Sequence, residues 1–261
     1  MSNTSDVIVV GGGVIGTAIA YALAKEKLKV ALLEQHDLCS GATYASAGMV
    51  APLSDSPVGH PSLDLGIRSY RMYDSWIKEI EEAGGFFVDY LRSGILRVAV
   101  TEEDERELKA LSGRAAEIGL NAQWLDPKEA RDVEPLLSPS IRGASWSPDE
   151  PQLHPSRYVE TLRRAALAHG AVIREQAQVV ALQRNGSKVT GVRTATESFS
   201  AATVILAMGS WTANAGNWLG TAVPVHPLRG QMVYVNALPQ PLRHTIMHGD
   251  TYAVPKADGT P

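Results

Sequence analysis

The chain has 261 residues, enough for one large domain or two smaller ones. Its composition, 44% hydrophobic and 20% charged, is that of a globular protein with a sizeable core. The net charge of −4 argues against nucleic acid or an anionic membrane as the main partner, and the single cysteine, Cys39, excludes an internal disulfide framework. The N-terminus lacks the positive segment of a signal peptide, and the uncharged stretch 7–24 contains three successive glycines. We therefore expect a cytoplasmic protein without a membrane span.

The start of the chain predicts a strand, a tight turn, a helix and a second strand. Residues 7–10 are an apolar, β-branched run typical of a buried strand, and apolar residues at helical spacing continue to Lys25. A further apolar run at 30–33 predicts the second strand, and Glu34 follows it. The turn between the first strand and the helix contains the glycines Gly11, Gly13 and Gly16.

This pattern, with an acidic residue at its end, predicts a dinucleotide-binding unit. Gly11 permits the tight turn, Gly13 lets a pyrophosphate approach the backbone, and Gly16 allows the helix to pack closely on the strand. The helix N-terminus offers N–H groups to the phosphates, and Glu34 can accept a hydrogen bond from a ribose 2′-OH. A Gly-x-Gly-x-x-Gly pattern alone often marks only a glycine-rich turn, and it does not distinguish NAD from FAD.

The stretch 37–52 is rich in small residues, too apolar for a solvated linker and too rich in glycine for a good helix. Small side chains allow a backbone to lie against a flat ring system; the alternative is a close-packed loop without a ligand. Together with the glycine motif and Glu34, the sequences Gly41-Ala42-Thr43 and Ser46-Ala47-Gly48-Met49 resemble the D-amino-acid oxidase superfamily of FAD-dependent oxidoreductases. Within it the likeness is greatest to the bacterial glycine oxidases of the thiamine pathway.

The resemblance implies an α/β fold, with an FAD-binding Rossmann-like domain of the glutathione-reductase type and an inserted α+β substrate domain. It implies that the glycine motif holds the pyrophosphate, Glu34 the adenosine ribose, and the small-residue loop the isoalloxazine, with Met49 also facing the substrate. Some relatives carry a loop histidine bonded to the flavin; that place resembles Ala45 here, so we expect non-covalent FAD. The implied cofactor-binding residues are Gly11, Gly13, Val14, Ile15, Gly16, Glu34, Gln35, Ala42, Thr43, Ala47, Gly48, Met49, Val179, Ala207 and Gly209.

The middle of the chain predicts structural elements without obvious chemistry. An amphipathic helix is expected over 63–82, ended by Gly84-Gly85, and a strand over 94–100. Thr101 is expected to cap a helix whose apolar face reaches Ile118. Asp126-Pro127-Lys128-Glu129 predicts another helix that begins with a capping box.

Further along, a helix is expected from 155 to about 170, then a strand at 171–173 and a hairpin of 178–182 with 188–193. Residues 203–207 predict another buried strand. In the resembling family an Ala-x-Gly after such a strand brings backbone near the FAD, which implies that role for Ala207 and Gly209, and a valine like Val179 contacts adenine. The alternative for this region is a plain sheet edge and turn.

Two segments near the end also resemble the family. Pro227–Met232 resembles a strand that returns into the substrate domain, and Tyr252 resembles the tyrosine over the substrate side of the flavin, although an ordinary core tyrosine is the alternative. Lys256 departs from the arginine that is usual in the family. No metal site is expected, because the seven histidines are scattered without metal-ligand spacing and no carboxylate or thiolate completes a site with His244 and His248.

The resemblance predicts a discontinuous FAD-binding domain, 1–85 and 148–220, and a substrate domain, 86–147 and 221–261. The family's C-terminal part, with the arginine that binds the substrate carboxylate, has no counterpart in the sequence. We therefore expect an N-terminal two-thirds fragment, or a chain that another chain completes.

The function implied is oxidation of small amines or amino acids, with glycine first, by hydride transfer from the substrate α-carbon to flavin N5 without a protein base. Dioxygen would accept the electrons and give hydrogen peroxide, and the imine would hydrolyse to glyoxylate and ammonia. One alternative is a dehydrogenase of D-amino acids that reduces a quinone, and another is a non-catalytic flavin-binding module. A protein that binds only NAD would leave the loop 41–49 without a purpose. A homo-oligomer is left open.

Overall fold

The computed structural model describes residues 3–55, 60–235 and 240–256, which form two compact units. The first unit contains Met1–Ser46, Trp76–Val88 and Pro155–Met232. The second contains Ala47–Ser75, Asp89–His154 and Val233–Pro261. Residues 47–75 and 148–154 thus belong to the second unit, whereas the domain boundaries expected from the sequence placed them in the first. Conversely, residues 86–88 and 221–232 belong to the first unit and not to the second. The roles of the two units stay a prediction.

The first unit is built on a six-stranded sheet with the order β6-β2-β1-β9-β8-β7. The central strand β1 pairs in parallel with β2 and β9, and β2 pairs in parallel with β6. The other two strands form an antiparallel hairpin on β9. The strands are β1 (Thr4–Val10), β2 (Val30–Leu33), β6 (Val172–Arg174), β7 (Val179–Asn185), β8 (Lys188–Thr194) and β9 (Ser198–Leu206).

Helices α1 (Val14–Lys25) and α6 (Pro155–Ala168) pack against each other in the first unit. Tyr21 of α1 is 1% exposed and donates a hydrogen bond of 2.7 Å from its hydroxyl to Glu79 Oε1. Ile8 in β1 is completely buried and belongs to the apolar core under the hairpin. The β-branched run of β1 thus becomes the centre of the sheet, as its sequence predicts.

The second unit contains a five-stranded sheet with the order β11-β10-β3-β5-β4. Its central strand β3 pairs in parallel with β10 and antiparallel with β5. The strands are β3 (Ile95–Ala99), β4 (Gln123–Leu125), β5 (Gly143–Ser147), β10 (Thr245–His248) and β11 (Thr251–Ala253). The helices are α2 (Pro52–Asp55), α4 (Glu102–Ala115) and α5 (Pro127–Val133), and α3 (Pro61–Gly84) runs on into the first unit. A last short helix, α7 (Gly216–Leu219), belongs to the first unit.

Both predicted caps in the second unit are confirmed. Thr101 Oγ1 accepts a hydrogen bond of 3.1 Å from Asp104 N, and Asp104 Oδ2 accepts one of 2.8 Å from Thr101 N. Asp126 Oδ1 accepts from Glu129 N at 2.9 Å, and Glu129 Oε2 accepts from Asp126 N at 2.9 Å. Each pair is a reciprocal capping box that satisfies backbone donors at the start of its helix.

A buried ion pair lies beside α2, the short helix at the end of the small-residue stretch 37–52. Arg97 Nη2 lies 2.6 Å from Glu150 Oε2, and the two side chains are 6% and 3% exposed. Arg97 also donates from Nε to Ser54 Oγ at 2.9 Å, which ties α2 to β3. Burial raises the pKa of the Glu150 carboxyl, and the nearby Arg97 charge opposes that rise. Because an unpaired buried charge is costly, each partner requires the other.

Two features depart from the sequence predictions. Residues 227–232, all within the described part of the chain, form no strand, and Leu228 is 97% exposed. A strand needs a neighbour that accepts and donates its backbone hydrogen bonds, and the described residues provide none there. The helix after Thr101 ends at Ala115, earlier than its apolar pattern suggests, and Ala116–Ile118 form one 3-10 turn. Gly119 ends that turn in a left-handed conformation, with a φ of 71°.

Within the described ranges, none of the helices combines the length and the apolar character that a bilayer crossing requires.

Candidate cofactor site

A cavity of about 630 Å³ lies in the first unit, outside the carboxyl ends of β1, β2 and β9. In open α/β sheets, ligands bind in this position, outside the carboxyl ends of parallel strands at the point where the strand order reverses. Five segments line the cavity, namely residues 10–15, 33–36, 39–43, 178–179 and 206–212. Its size is within the range of pockets that enclose a cofactor.

The glycines beside the cavity differ in what they require. A Cβ on Gly11, whose φ is 111°, would lie 2.3 Å from Ala207 O, and one on Gly16 would lie 1.9 Å from Gly11 O. A Cβ on Gly12 would lie 2.3 Å from Leu38 Cδ2. Packing within the protein therefore explains three of the four glycines in the 11–16 turn, namely Gly11, Gly12 and Gly16.

Gly13 is different, because a Cβ there would meet only the Thr43 hydroxyl, at 3.2 Å, and its φ of −74° suits any residue. Gly13 lines the cavity. Packing within the protein therefore constrains this position less than the other three, and its bare backbone leaves room for a ligand in the cavity.

The N-terminus of α1, where the helix carries a partial positive charge, borders the cavity. The first turn of this helix contains no acidic residue. Gly13 is the N-cap residue and supplies no side-chain acceptor. Val14 N donates a hydrogen bond of 3.1 Å to Thr43 Oγ1, from the neighbouring cavity wall. A neutral hydroxyl is the side-chain acceptor there, so the partial positive charge of the helix end remains available to an anion.

Glu34 is held at the end of β2 by backbone donors. Its Oε2 accepts from Gly12 N at 2.7 Å, and its Oε1 accepts from His36 N at 2.9 Å. These bonds fix the carboxylate at the cavity wall, and each oxygen retains capacity for a second hydrogen bond. The arrangement can accept hydrogen bonds from the hydroxyls of a ribose.

The rest of the cavity wall is largely apolar and includes Val179, Met208 and Trp211. Cys39 also lines it; its side chain is buried, and burial raises the pKa of its thiol. A thiol with a raised pKa is a poor nucleophile, so Cys39 contributes an apolar surface. The cavity thus combines a helix N-terminus without an acidic cap, a carboxylate held by backbone donors and a largely apolar wall.

Comparison with known proteins agrees with this geometry. The sequence profile of the DAO family, described as FAD dependent oxidoreductase, matches residues 6–260. The chain belongs to the DAO family. The cofactor of this family is FAD. The cavity fits a dinucleotide, because the end of α1 at Gly13 can face phosphates and the Glu34 carboxylate can accept hydrogen bonds from a ribose.

Relatives of the DAO-family chain include glycine oxidases. It is 33% identical to glycine oxidase from Geobacillus kaustophilus over 98% of this chain and 68% of the relative. The crystal structure of glycine oxidase from the same organism matches with a TM-score of 0.93 at 32% identity, over 98% of this chain and 69% of that one. A bifunctional ThiO/ThiG protein of Synechocystis sp. is 34% identical over 99% of this chain, which spans 38% of that protein. The predicted α/β class and family are confirmed.

The cavity of the DAO-family chain brings most of the predicted cofactor residues together. Gly16 lies behind the cavity, in the close packing described above. Ala47, Gly48, Met49 and Tyr252 lie in the second unit. The predicted residues that line the cavity are Gly11, Gly13, Val14, Ile15, Glu34, Gln35, Ala42, Thr43, Val179, Ala207 and Gly209.

Some lining residues of the DAO-family chain were not predicted from its sequence. His36 and Cys39 lie between predicted positions along the chain, so a continuous segment from Glu34 to Thr43 would have included them. Gln178 and Trp211 each lie within two residues of a predicted position, Val179 and Gly209. Proximity to motif residues was the signal available for all four.

Proposed function

We propose that the protein is a flavin-dependent oxidase of small amines or amino acids, with glycine as the first substrate to test. The observation that carries this proposal is the likeness to glycine oxidase, which extends over 98% of the chain at 33% identity. The chain spans 68% of that relative and 38% of the bifunctional relative, so the activity proposed is that of the whole protein. We place the activity in the cytoplasm.

For the cofactor, we propose that the first turn of α1 holds the FAD pyrophosphate and that Glu34 holds the adenosine ribose. The uncapped helix end and the backbone-held carboxylate support these assignments. When bound, FAD supplies a two-electron acceptor for a C–H bond beside an amine. Ala45 has no nucleophilic atom to bond the flavin, so acid precipitation should release all FAD into the supernatant; colour in the pellet would contradict this.

For the substrate, we propose that Met49 and Tyr252 contact the amino acid, and that the 47–49 loop (Ala47, Gly48, Met49) lies along the isoalloxazine. Ala47 is buried, whereas Met49 is partly exposed and Tyr252 is 37% exposed on β11. A small, largely buried loop suits contact with a flat ring, and exposed side chains are available to a substrate. We assign no residue as a base; the amine must be neutral when it reacts.

Anaerobic mixing of the FAD-loaded protein with glycine tests the proposal. We expect the flavin absorbance near 450 nm to be lost, because glycine transfers two electrons to the flavin. Admission of air should then restore the colour and release hydrogen peroxide. Bleaching without peroxide would indicate a dehydrogenase that uses another acceptor, and a spectrum unchanged by glycine, sarcosine and the small D-amino acids would refute the proposal.

A further inference from the structure

Lys256 joins two segments of the second unit, the 47–49 loop and the segment 151–153, through three hydrogen bonds. Its Nζ donates hydrogen bonds to Ala47 O at 2.7 Å, Leu153 O at 3.0 Å and Gln152 Oε1 at 3.2 Å. An ammonium is a compact donor that can serve several acceptors arranged around one point. Hydrogen bonds from a charged donor are stronger than neutral ones, so Lys256 adds substantially to the hold on the 47–49 loop.

The loop is also paired with the segment 151–153. Leu153 N donates to Gly48 O at 2.9 Å, and Val50 N donates to Pro151 O at 2.9 Å. Met49 forms an antiparallel bridge with Gln152, which is 4% exposed. The side-chain oxygen of Gln152 is one of the acceptors of Lys256, so the ammonium lies at the point where the two segments meet.

Lys256 also follows closely on the strand that carries Tyr252. Only three residues separate them, and one of these is Pro255, whose ring restricts the backbone. Tyr252 itself is fixed in β11 opposite Met247 of β10. The hydrogen bonds of the Lys256 ammonium therefore connect the loop that contains Met49 to the segment that follows the strand of Tyr252.

We propose that Lys256 is a positioning residue, whose ammonium locks the 47–49 loop to 151–153 and thereby sets the position of Met49 relative to Tyr252. This rests on the proposed function, in which Met49 and Tyr252 contact the substrate. Lys256 does not touch the reacting atoms. Its contribution is to the geometry of the residues that bind the amino acid.

The variant Lys256→Met keeps the length of the side chain and removes its charge and donors. Lys128→Met is the matched control, because Lys128 is an exposed lysine of the same unit. In the FAD-loaded protein, we expect hydrogen exchange at the amides of Val50 and Leu153 to become about tenfold faster in Lys256→Met and to stay unchanged in the control.

The kinetic comparison separates positioning from a purely structural effect. We expect the glycine concentration that half-saturates flavin reduction to rise about tenfold in Lys256→Met, with the rate at saturation changed less than about twofold. FAD affinity should fall by less than substrate affinity, since the groups proposed to hold the pyrophosphate and the ribose are in the first unit and only the isoalloxazine is proposed to lie along the 47–49 loop. Lys256→Arg, which keeps the charge and can reach the same carbonyl groups, should recover most of the protection and most of the substrate affinity.

Equal behaviour of Lys256→Met and Lys128→Met in both measurements would overturn the proposal. Faster exchange with unchanged half-saturation would also overturn it, because the lysine would then hold the loop without affecting substrate. A wild-type flavin that no amine reduces contradicts the proposed function instead. In that case the exchange comparison alone decides whether Lys256 fixes the loop.

Discussion

The N-termini of α1 and α5 are built in opposite ways, although both begin helices of one chain. At α5, Asp126 caps the helix and Glu129 completes a capping box. At α1 the cap is Gly13, which has no side chain, and the first turn contains no acid. Both helix ends carry the same partial positive charge. The acids of the second unit neutralise it locally, whereas the first unit leaves it facing a cavity, as expected of a site for an anionic cofactor.

The largest effect, on the free energy of unfolding, is expected at Gly16, where the packing against the turn before α1 is closest. Gly16→Ala places a Cβ 1.9 Å from Gly11 O, so the backbone must move. We expect a loss of about 3 kcal/mol in the free energy of unfolding of the FAD-free protein, measured with denaturant. A loss below about 0.5 kcal/mol would show that the turn adapts easily and that its packing does not require glycine.

The second-largest effect is expected on FAD affinity, without a loss of stability. Gly13→Asp gives α1 the kind of acidic cap that α5 has, and a Cβ there requires the Thr43 hydroxyl, at 3.2 Å, to move by a few tenths of an ångström. We expect FAD affinity, measured by fluorescence titration, to fall about 100-fold because the carboxylate repels the pyrophosphate. The FAD-free protein should unfold at the same denaturant concentration or a slightly higher one, since aspartate is a favoured residue at a helix N-cap.

Gly13→Asn is the matched control for Gly13→Asp, with nearly the same size and no charge. We expect it to weaken FAD binding less than the aspartate does. If the two variants bind equally, bulk and not charge is responsible. If both bind as tightly as the wild type, the pyrophosphate does not lie at this end of α1.

The converse change removes a cap from the second unit. Asp126→Ala leaves backbone donors of α5 without their acceptor, and we expect a loss of about 1 kcal/mol in the free energy of unfolding. FAD affinity should stay within about twofold, because the cap lies outside the cavity-lining residues. A large loss of FAD affinity in this variant would break the contrast between the two helix ends.

The smallest effect depends on pH. Hydrogen bonds from the backbone of Thr101 and Val100 lower the pKa of Asp104 from 3.8 to about 2. A carboxyl whose pKa is lower in the folded state stabilises the fold above its unfolded pKa, and this contribution is lost as the pH falls toward 2. The difference in unfolding temperature between the wild type and Asp104→Asn should therefore shrink from pH 5 to pH 2.5. A constant difference would show that the charge of Asp104 does not contribute.

Local patterns predicted the parts of the molecule that depend on neighbours in sequence. The turn at Gly11, the acid Glu34 and the cap at Asp126 are each specified within a few residues, and the structure contains them as expected. The expectation that Pro227–Met232 forms a strand, which rested on the family resemblance, was wrong, because the described residues supply no neighbouring strand to pair with this segment.

Distant pairing decided what the sequence could not predict. The strand Gly143–Ser147 has no β-branched residue, yet it lies between β3 and β4 and is almost entirely buried. Its conformation comes from these neighbours and not from its own propensity. Likewise, the cavity brings together segments that are far apart in sequence, so that Trp211 and Cys39 line it only after the sheet has formed.

The most direct test is the crystal structure of the FAD-loaded protein. The account predicts pyrophosphate oxygens within about 3.2 Å of backbone nitrogens in the first turn of α1, with Gly13 against the phosphates. It also predicts that Glu34 accepts a hydrogen bond from the adenosine ribose while it keeps its bond from Gly12 N. A pyrophosphate placed away from α1, with Glu34 bonded only to protein backbone, would contradict the account.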